Sequence, residues 1–305
     1  MSATQDTLAL GRPLPVRRSV RPGWFRGIHG ADFAWAIAFA LPYVAVFLAF
    51  VVYPVAYGLW LGSKPALYGE LFSDPTYLRT VVNTAIYVGL GVNVKMALAF
   101  LLSGFFMRRS WWTKSLLVIF ILPWATPALP AFLSIHWLLN GQWGLLNNML
   151  WALFGIEGPM WLNSRWLGLG SNIVAYIWKW MPFWTVIFLA GRMAIPHELY
   201  EAADVDGATG YRRFRHVTFP LLATLYLVCT LLSTIWTLGD FSTVYFVSGG
   251  GPAMATEVLA TLGIRDAFTL AQPRLGVSAV MSALPVLIPI VMLLMHKLRT
   301  SEVQL

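Results

Sequence analysis

Seven polar side chains lie in stretches of the chain that are otherwise apolar, and these residues are candidates for binding a polar solute. If the stretches cross a membrane, such groups usually face the interior of a helix bundle or a cavity, because lipid does not solvate them. The seven are Asn83, Asn93, Lys95, His136, Asn172, Lys179 and Asp240. Structural roles are open as well: the asparagines can cap helices, the lysines can pair with an acid, and His136 can hydrogen-bond within packing.

Aromatic side chains form a second candidate set. Tyr176, Trp180 and Trp184 recur at a spacing of four residues, which places them on one face of a helix. Further rings near the ends of apolar stretches are Trp137, Trp236 and Tyr245. Such rings either pack against neighbouring helices, belong to an interfacial belt, or provide a surface for a ligand.

The sequence contains no recognisable catalytic constellation. It has no H-E-x-x-H helix, no G-x-S-x-G turn and no pair of acids within an apolar stretch. A G-x-x-x-x-G-K-[ST] phosphate loop is also absent, so we do not expect this chain to bind ATP by that route. We expect no enzymatic activity, no metal site and no bound cofactor.

Composition indicates that the candidate residues are positioned by membrane-spanning helices. Of the 305 residues, 58% are hydrophobic and only 11% are charged, whereas soluble domains carry about 25% charged residues. A chain of this composition does not fit an ordinary soluble enzyme or a disordered protein. The single cysteine, Cys229, excludes a disulfide framework.

Six segments are long and apolar enough to span a bilayer, which takes about 20 residues. We predict an all-α integral membrane protein with six spans, which form a transmembrane domain over residues 33–295. The spans are predicted near Phe33–Leu61, Val81–Phe106, Leu116–Leu139, Asn172–Ala190, Phe219–Gly239 and Val277–Met295.

The distribution of positive charge orients these spans. Most of the 21 Lys and Arg residues lie on one side. They are Arg12, Arg17, Arg18, Arg21, Arg26, Arg108, Arg109, Lys114, Arg192, Arg212, Arg213, Arg215, Lys297 and Arg299. The opposite loops hold Lys64, Arg79, Arg165, Arg265 and Arg274. The positive-inside rule places both termini, residues 1–32 and 296–305, in the cytoplasm. The net charge of +8 therefore needs no nucleic acid as a partner.

Three outer segments remain, at residues 62–80, 140–171 and 241–276. They are rich in Gly, Trp and Pro and carry few charges. Each is too short for an independent domain. The second one is expected to contain a short amphipathic helix around Leu145–Phe154.

One inner segment, residues 195–222, has a pattern of its own. Pro196 suits a helix start, and residues 197–206 are predicted as a short helix with Glu198 in its first turn. Gly207 can adopt the left-handed conformation that ends such a helix. A second helical stretch begins near Thr209 and enters the fifth span at Pro220.

This segment resembles the EAA loop of permease subunits of bacterial binding-protein-dependent ABC importers. That motif is Glu-Ala-Ala, three residues, Gly, nine residues and Ile-x-Leu-Pro. The matching residues here, with every spacing kept, are Glu201-Ala202-Ala203, Gly207 and Val217-Thr218-Phe219-Pro220. Val217 replaces Ile and Phe219 replaces Leu. An ordinary amphipathic connector is the alternative interpretation.

Weaker signatures favour the maltose-transporter-like (MalF-type) sugar permeases. They are Asn83-Thr84-Ala85-Ile86-Tyr87, Trp178-Lys179-Trp180-Met181-Pro182-Phe183, Leu189-Ala190-Gly191, Ile195-Pro196, Gly249-Gly250-Gly251-Pro252 and Ala255-Thr256-Glu257. Residues 1–32 lie outside the match.

The resemblance implies a type I ABC importer permease fold in the bacterial inner membrane. It also implies three kinds of partner: a second homologous permease subunit, a dimer of ABC ATPases that binds ATP and Mg²⁺, and an extracytoplasmic substrate-binding protein. In that family the EAA helix fits a cleft of the ATPase and couples ATP hydrolysis to alternating access. The corresponding coupling residues here are Glu201, Ala202, Ala203, Asp206, Gly207 and Pro220.

The resemblance makes a sugar or sugar derivative the expected cargo. Sugars bind through hydroxyl hydrogen bonds and through stacking on aromatic rings, so we place Trp137, Asn172, Tyr176, Lys179, Trp180, Trp184, Asp240 and Tyr245 on the substrate path. Lys179 beside the aromatic stripe also admits an acidic sugar. The companion subunit is an alternative holder of the cargo.

A secondary transporter or channel is the competing interpretation. It would be expected to show inverted repeats or charged coupling sites at the midplane, and the sequence has no clear repeat. Dependence of transport on ATP separates the two.

Overall fold

The computed structural model describes residues 31–108 and 110–302 of the chain, and side chains within 35–297. Most of the predicted tail 1–32, together with Arg109 and residues 303–305, lies outside this range. The described residues form α-helices and no strand. In chain order the helices are α1 Ala31–Phe47, α2 Tyr53–Leu61, α3 Pro65–Ser73, α4 Tyr77–Phe106, α5 Trp111–Ala125, α6 Ala128–Leu138, α7 Leu145–Phe154, α8 Arg165–Met193, α9 His197–Val205, α10 Tyr211–Arg213, α11 Phe219–Leu238, α12 Ser242–Val247, α13 Leu259–Ile264, α14 Pro273–Met281 and α15 Leu284–Glu302.

The chain forms two compact units, one ending at Ala56 and one beginning at Tyr57. The first contains α1, a π-helical turn over Leu48–Val52 and the start of α2. Its side chains from Trp35 to Ala56 are all exposed. A chain segment this apolar and this exposed is suited to lipid or to a partner helix.

The second unit has its core between α4, α8 and α11. Phe100 on α4 packs edge-on against Phe188 on α8, with ring centroids 5.2 Å apart. Trp184 and Phe188 are buried in the same cluster as Leu222 and Cys229 of α11. Nearer the other end of α4 and α8, Tyr87 and Tyr176 pack with residues of α12 and α13.

The predicted all-α architecture with six spans is confirmed when one bent pair of helices is counted as a single span. Five helical stretches are long and apolar enough to cross a membrane: Trp35–Leu61, Tyr77–Phe106, Arg165–Met193, Tyr211–Leu238 and Pro273–Lys297. The sixth consists of α5 and α6, whose axes meet at 97°. The amphipathic helix expected around Leu145–Phe154 is α7.

The third span differs from the continuous helix that was predicted over Leu116–Leu139. The helix breaks at Thr126, whose ψ of 146° is extended. Proline disfavours helical backbone in the residue before it, and Pro127 follows Thr126 directly. Helix α5 therefore ends at Ala125, and the chain turns before α6 begins at Ala128.

Four spans also begin earlier than predicted. The fourth begins at Arg165 rather than near Asn172, and the fifth is helical from Tyr211 rather than from Phe219. The second begins at Tyr77 rather than near Val81, and the sixth at Pro273 rather than near Val277. The outer segment 241–276 also contains α12, α13 and a π-helical turn at Arg265–Thr269. Its residues Leu259 and Leu262 are buried, which is why a segment without a strong apolar run is ordered.

Candidate functional site

The short helix α9 follows α8 after a turn at Ala194–Pro196. Pro196 is its N-cap residue, and Glu198 lies in its first turn, where the helix dipole favours an anion. Asp206 is the C-cap. The helix predicted over residues 197–206 is thus present, with its last turn closing at Asp206.

Gly207 ends α9 in the left-handed conformation that the sequence predicted, with φ of 71°. Its N–H donates to the carbonyl of Asp204 at 3.1 Å, and the N–H of Ala208 donates to the carbonyl of Ala203 at 2.8 Å. This pair of bonds is a Schellman motif. A Cβ at position 207 would meet no neighbouring atom, so glycine is needed there for its backbone conformation and not for space.

An ion pair holds the two arms of this inner loop together. The Nη1 of Arg213 lies 3.2 Å from both carboxylate oxygens of Asp204. The guanidinium also lies 5.6 Å from the centre of the Tyr200 ring, and the Tyr200 hydroxyl is 3.3 Å from that of Thr218. The fold brings together residues on both sides of Gly207 that the sequence analysis did not pair.

The loop then passes into the fifth span without a gap. A π-helical turn at Phe214–Thr218 follows α10, and the N–H of Phe219 donates to the carbonyl of Phe214. Pro220 is the second residue of α11. Proline cannot donate an N–H, and its ring collides with the carbonyl four residues earlier, so the wider turn accommodates it. The continuous backbone connects α9 mechanically to α11.

The outward surface of α9 is small and partly apolar. Glu201 and Ala202 are exposed, and Val205 is 88% exposed, whereas Ala203 is buried against the chain itself. The Glu201 carboxylate is 2.9 Å from Nδ1 of His197. A partner protein could approach this face closely, because only a methyl group stands at position 202.

The predicted aromatic stripe lines a cavity. Tyr176, Trp180 and Trp184 of α8, Trp236 of α11 and Asp240 enclose a volume of about 180 Å³. The Trp184 and Trp236 rings lie 5.5 Å apart. Four of the predicted substrate-path residues therefore meet at one place.

A chain of hydrogen bonds connects Lys95 of α4 to Tyr176, which lines the cavity. Its ammonium donates to the Tyr176 hydroxyl at 2.8 Å. The Tyr176 hydroxyl lies 2.6 Å from that of Thr237, which donates to the carbonyl of Ser233. Since the ammonium can only donate, the Tyr176 hydrogen points to Thr237.

Asp240 accepts hydrogen bonds from two neighbouring side chains. Its Oδ2 accepts from the hydroxyls of Tyr87 at 2.7 Å and Thr243 at 2.5 Å, and its Oδ1 accepts from the N–H of Thr243 at 3.3 Å. Burial raises the pKa of Asp240, while the hydrogen bonds from Thr243 and Tyr87 and the charge of Lys95 oppose that rise. All three partners are donors, which fits an ionised carboxylate.

Lys179 lies at the corner between α5 and α6, outside the cavity lining. Its ammonium donates to the carbonyls of Pro123 at 2.6 Å, of Trp124 at 3.4 Å and of Thr126. These groups lack helical partners because the helix breaks there. Lys179 is 1% exposed, so the structure gives it a bracing position at the bend.

Three other predicted substrate-path residues, Asn172, Trp137 and Tyr245, are not among the residues that line the cavity. Asn172 is buried and donates to the Ser248 hydroxyl at 2.9 Å. Trp137 and Tyr245 are about half exposed and contact other aromatic rings. His136 contacts the carbonyl of Val247 through Nδ1.

Asn83 connects α4 to the outer segment at residues 241–276, a role that the sequence did not reveal. Its amide donates to the carbonyls of Ala255 and Glu257, each at 2.9 Å, and its oxygen accepts from Arg165. The neighbouring Thr84 hydroxyl accepts the N–H of Leu259 at 2.9 Å. Two of the weaker sequence signatures therefore contact each other and fix α4 to the outer segment.

Charged residues cluster in that outer segment. Arg265 pairs with Glu257 at 3.0 Å and with Asp266 at 3.1 Å. Burial raises the pKa of Glu257 to about 7, against the opposing charge of Arg265.

Comparisons with known proteins agree with this arrangement. Residues 95–299 match the family described as "Binding-protein-dependent transport system inner membrane component". The chain is 33% identical over 277 residues to the sulfoquinovosyl glycerol transport system permease protein of Agrobacterium fabrum, covering 81% of this chain and 86% of that protein. It is 30% identical over 235 residues to the trehalose/maltose transport system permease protein of Thermococcus litoralis, covering 73% and 79%.

A solved structure has the same fold. A chain of a bacterial alginate ABC transporter, crystallised with a pentasaccharide-bound periplasmic protein, superposes with a TM-score of 0.79 at 23% identity. The match covers 87% of this chain and 94% of that one. The likeness shows that this chain and the alginate transporter chain share a fold.

Proposed function

This chain belongs to the binding-protein-dependent transport system inner membrane component family, and we propose that it carries a sugar or sugar derivative across the bacterial inner membrane as part of an ATP-driven importer. The chain is a multi-pass inner-membrane permease for sugar import. ATP-driven alternating access, with both termini in the cytoplasm, is the mechanism that we propose for it.

The observation that carries this proposal is the inner loop. Helix α9 presents Glu201, Ala202 and Val205 outward, and it is braced to α10 by the Asp204–Arg213 pair. A rigid helix joined to α11 can transmit a displacement, whereas a flexible connector would absorb it. We assign α9 as the helix that fits the ATPase, with Ala203, Asp206, Gly207 and Pro220 holding its shape.

The partners follow from what the chain lacks in sequence. Without a phosphate loop, ATP and Mg²⁺ are expected on a separate ATPase dimer. A second permease subunit would complete the pathway, forming a heterodimer in the bilayer. An extracytoplasmic binding protein would deliver the sugar to the outer segments.

We assign the substrate path to the cavity between α8 and α11. Binding sites for small molecules combine aromatic walls with a few polar groups, and Tyr176, Trp180, Trp184 and Trp236 with Asp240 provide that combination. The related permeases from A. fabrum and T. litoralis are named for sugar cargoes. Trp180→Ala should weaken uptake if this stripe contacts the sugar.

Uptake by the complete importer in proteoliposomes tests this function. Trehalose import should require ATP on the ATPase side and should stop when the ATPase subunits are omitted. Import that continues without ATP or without the ATPase would contradict the proposal and favour a secondary transporter or channel.

A further inference from the structure

The cavity between α8 and α11 has one charged group in its lining, the carboxylate of Asp240. The other lining residues are aromatic: Tyr176, Trp180, Trp184 and Trp236. An anion buried without a positive partner costs several kcal/mol or neutralises itself. The charge of the lining therefore bears on which sugars can enter.

The cation nearest in sequence to the stripe is already engaged. Lys179 faces the carbonyls of Pro123, Trp124 and Thr126 at the bend between α5 and α6. It is 1% exposed and is absent from the cavity lining. Bringing its ammonium to an anionic sugar would take a charged donor away from the carbonyls of Trp124 and Thr126, whereas Pro123 would keep the Thr126 hydroxyl.

The second cation, Lys95, is covered by Tyr176. Its ammonium donates to the Tyr176 hydroxyl and lies 4.1 Å from the centre of that ring. Tyr176 lines the cavity, whereas Lys95 does not and is 1% exposed. The positive charge of Lys95 acts on the Asp240 carboxylate. Lys95 is therefore paired within the chain and is not available to an anionic sugar.

Asp240 retains an unused acceptor position. An ionised carboxylate has about four lone-pair sites, two on each oxygen. Oδ2 accepts from Tyr87 and Thr243, while Oδ1 accepts a single N–H from Thr243. One site on Oδ1 remains for a hydroxyl or N–H donor of a ligand.

Trp180 supplies a complementary donor. Its Nε1–H is buried and has no acceptor among the described residues. Buried donors without a partner are rare in folded proteins and call for an explanation. The Trp180 ring lines the cavity, so a rotation of the indole would present this donor to a sugar hydroxyl, which can accept from Trp180 and donate to Asp240.

We propose that this cavity selects an uncharged, hydroxyl-bearing sugar ring, which donates a hydrogen bond to Asp240 Oδ1 and stacks against Trp180, Trp184 and Trp236, and that it rejects sugars carrying a phosphate, sulfonate or carboxylate. The inference rests on the proposed function. It replaces the acidic cargo expected from the position of Lys179 in the sequence.

Import assays with two named sugars test this selectivity. Trehalose is neutral, and sulfoquinovosyl glycerol carries a sulfonate. Each is supplied with the receptor to the complete ATP-energised importer in proteoliposomes. We expect trehalose to enter at least tenfold faster than sulfoquinovosyl glycerol.

Two variants of this chain test whether its cavity determines the selectivity between the two sugars. Asp240→Asn keeps the size of the side chain and removes its charge. It should lower trehalose import about tenfold and reduce the ratio of the trehalose rate to the sulfoquinovosyl glycerol rate. Trp180→Phe keeps a ring and removes the donor, and it should lower trehalose import several-fold. Trp178→Phe, on the same helix but 42% exposed and outside the lining, should match the wild type.

The outcomes separate the inference from the function on which it rests. ATP-driven import of sulfoquinovosyl glycerol at the trehalose rate would overturn the inference and leave the permease function intact. Unchanged trehalose import in both Asp240→Asn and Trp180→Phe would also overturn it. Import of both sugars that continues without ATP would overturn the proposed function and, with it, this inference.

Discussion

The ammonium of Lys179 faces backbone carbonyls released by the break between α5 and α6. Arg192 has a comparable position near the end of α4, where it donates to the Ser103 hydroxyl at 2.7 Å and to the carbonyl of Phe100 at 3.0 Å. Asn83 serves the outer segment in the same way. Polar side chains inside these spans therefore often donate to backbone carbonyls of the chain itself, and a polar residue in a span is not by itself evidence for a ligand.

Replacement of Lys179 by Met should destabilise the protein without changing its affinity for cargo. The substitution keeps an unbranched chain but removes the charged donor that Lys179 provides to the carbonyls of Trp124 and Thr126, a loss of about 1–3 kcal/mol. The melting temperature of the purified complex should fall, while the KM for import stays at the wild-type value. Lys64→Met, at an exposed outer position, is the matched control. A raised KM for import with an unchanged melting temperature would contradict this prediction and would support a place for Lys179 on the substrate path.

Glu257 should make stability depend on pH. Burial raises its pKa from 4.5 to about 7 in the folded protein. The folded state thus holds this proton more tightly than the unfolded state does, so its stabilising contribution is complete below pH 4.5 and is lost as pH rises through 7. Melting temperatures between pH 5 and pH 8 should fall more steeply for the wild type than for Glu257→Gln. Parallel curves would show that Glu257 does not titrate in this range.

At the scale of elements, the inner loop is a rigid corner. Helix α9, the Schellman turn at Gly207 and the π-helical turn before Pro220 form one continuous path into α11. The Asp204–Arg213 pair is partly exposed, so its contribution to global stability is expected to be at most about 1 kcal/mol. Its effect is local, because it holds the direction of α9 relative to α10.

Substitutions at Gly207 should separate helix geometry from folding. Left-handed backbone costs an L-residue about 1–2 kcal/mol, and Asn tolerates it better than a β-branched residue does. Gly207→Val should therefore insert into the membrane but lose at least tenfold in ATP-coupled import, whereas Gly207→Asn should stay near the wild type. ATP hydrolysis and uptake are measured on the same preparation. Equal coupling in the Val and Asn variants would show that this turn does not set the position of α9.

The sequence predicted α9 well, but it did not predict the break in the third span or the outer helices α12 and α13. Pro196 and Gly207 act within their own turn, so α9 could be located from local rules. The same kind of rule applied to Thr126 before Pro127, but lipid-embedded helices also tolerate proline, and sequence alone did not choose between a kink and a break. The outer helices α12 and α13 depend on distant contacts such as Asn83 with Glu257, which no short-range pattern contains.

The candidate cavity was predictable in part. The four-residue spacing of Tyr176, Trp180 and Trp184 placed them on one face of α8, and the cavity confirms that shared face. The covering of Lys95 by Tyr176 and the binding of Asp240 by Tyr87 join α4 to α8 and to the chain after α11. Those pairings depend on how the helices pack and were not readable from spacing.

At the scale of the whole molecule, the helix that lines the cavity, α8, is directly followed along the chain by the inner helix α9. Helix α8 contributes three lining residues and then leads, after Met193, into α9. A displacement of α9 by a partner would thus act on both α8 and α11, the two helices whose rings form the cavity walls. The proposed coupling role of α9 requires that the ATPase cover this helix.

Labelling of Val205→Cys measures that contact directly. Val205 is 88% exposed on α9, and the native Cys229 is buried and can be replaced by Ala. Inside-out vesicles are treated with a membrane-impermeant maleimide, with and without the ATPase. Phe154→Cys on α7, 69% exposed, is the control and should react only in right-side-out vesicles. We predict that the ATPase slows labelling of Val205→Cys at least tenfold; equally fast labelling in its presence would contradict the coupling role of α9.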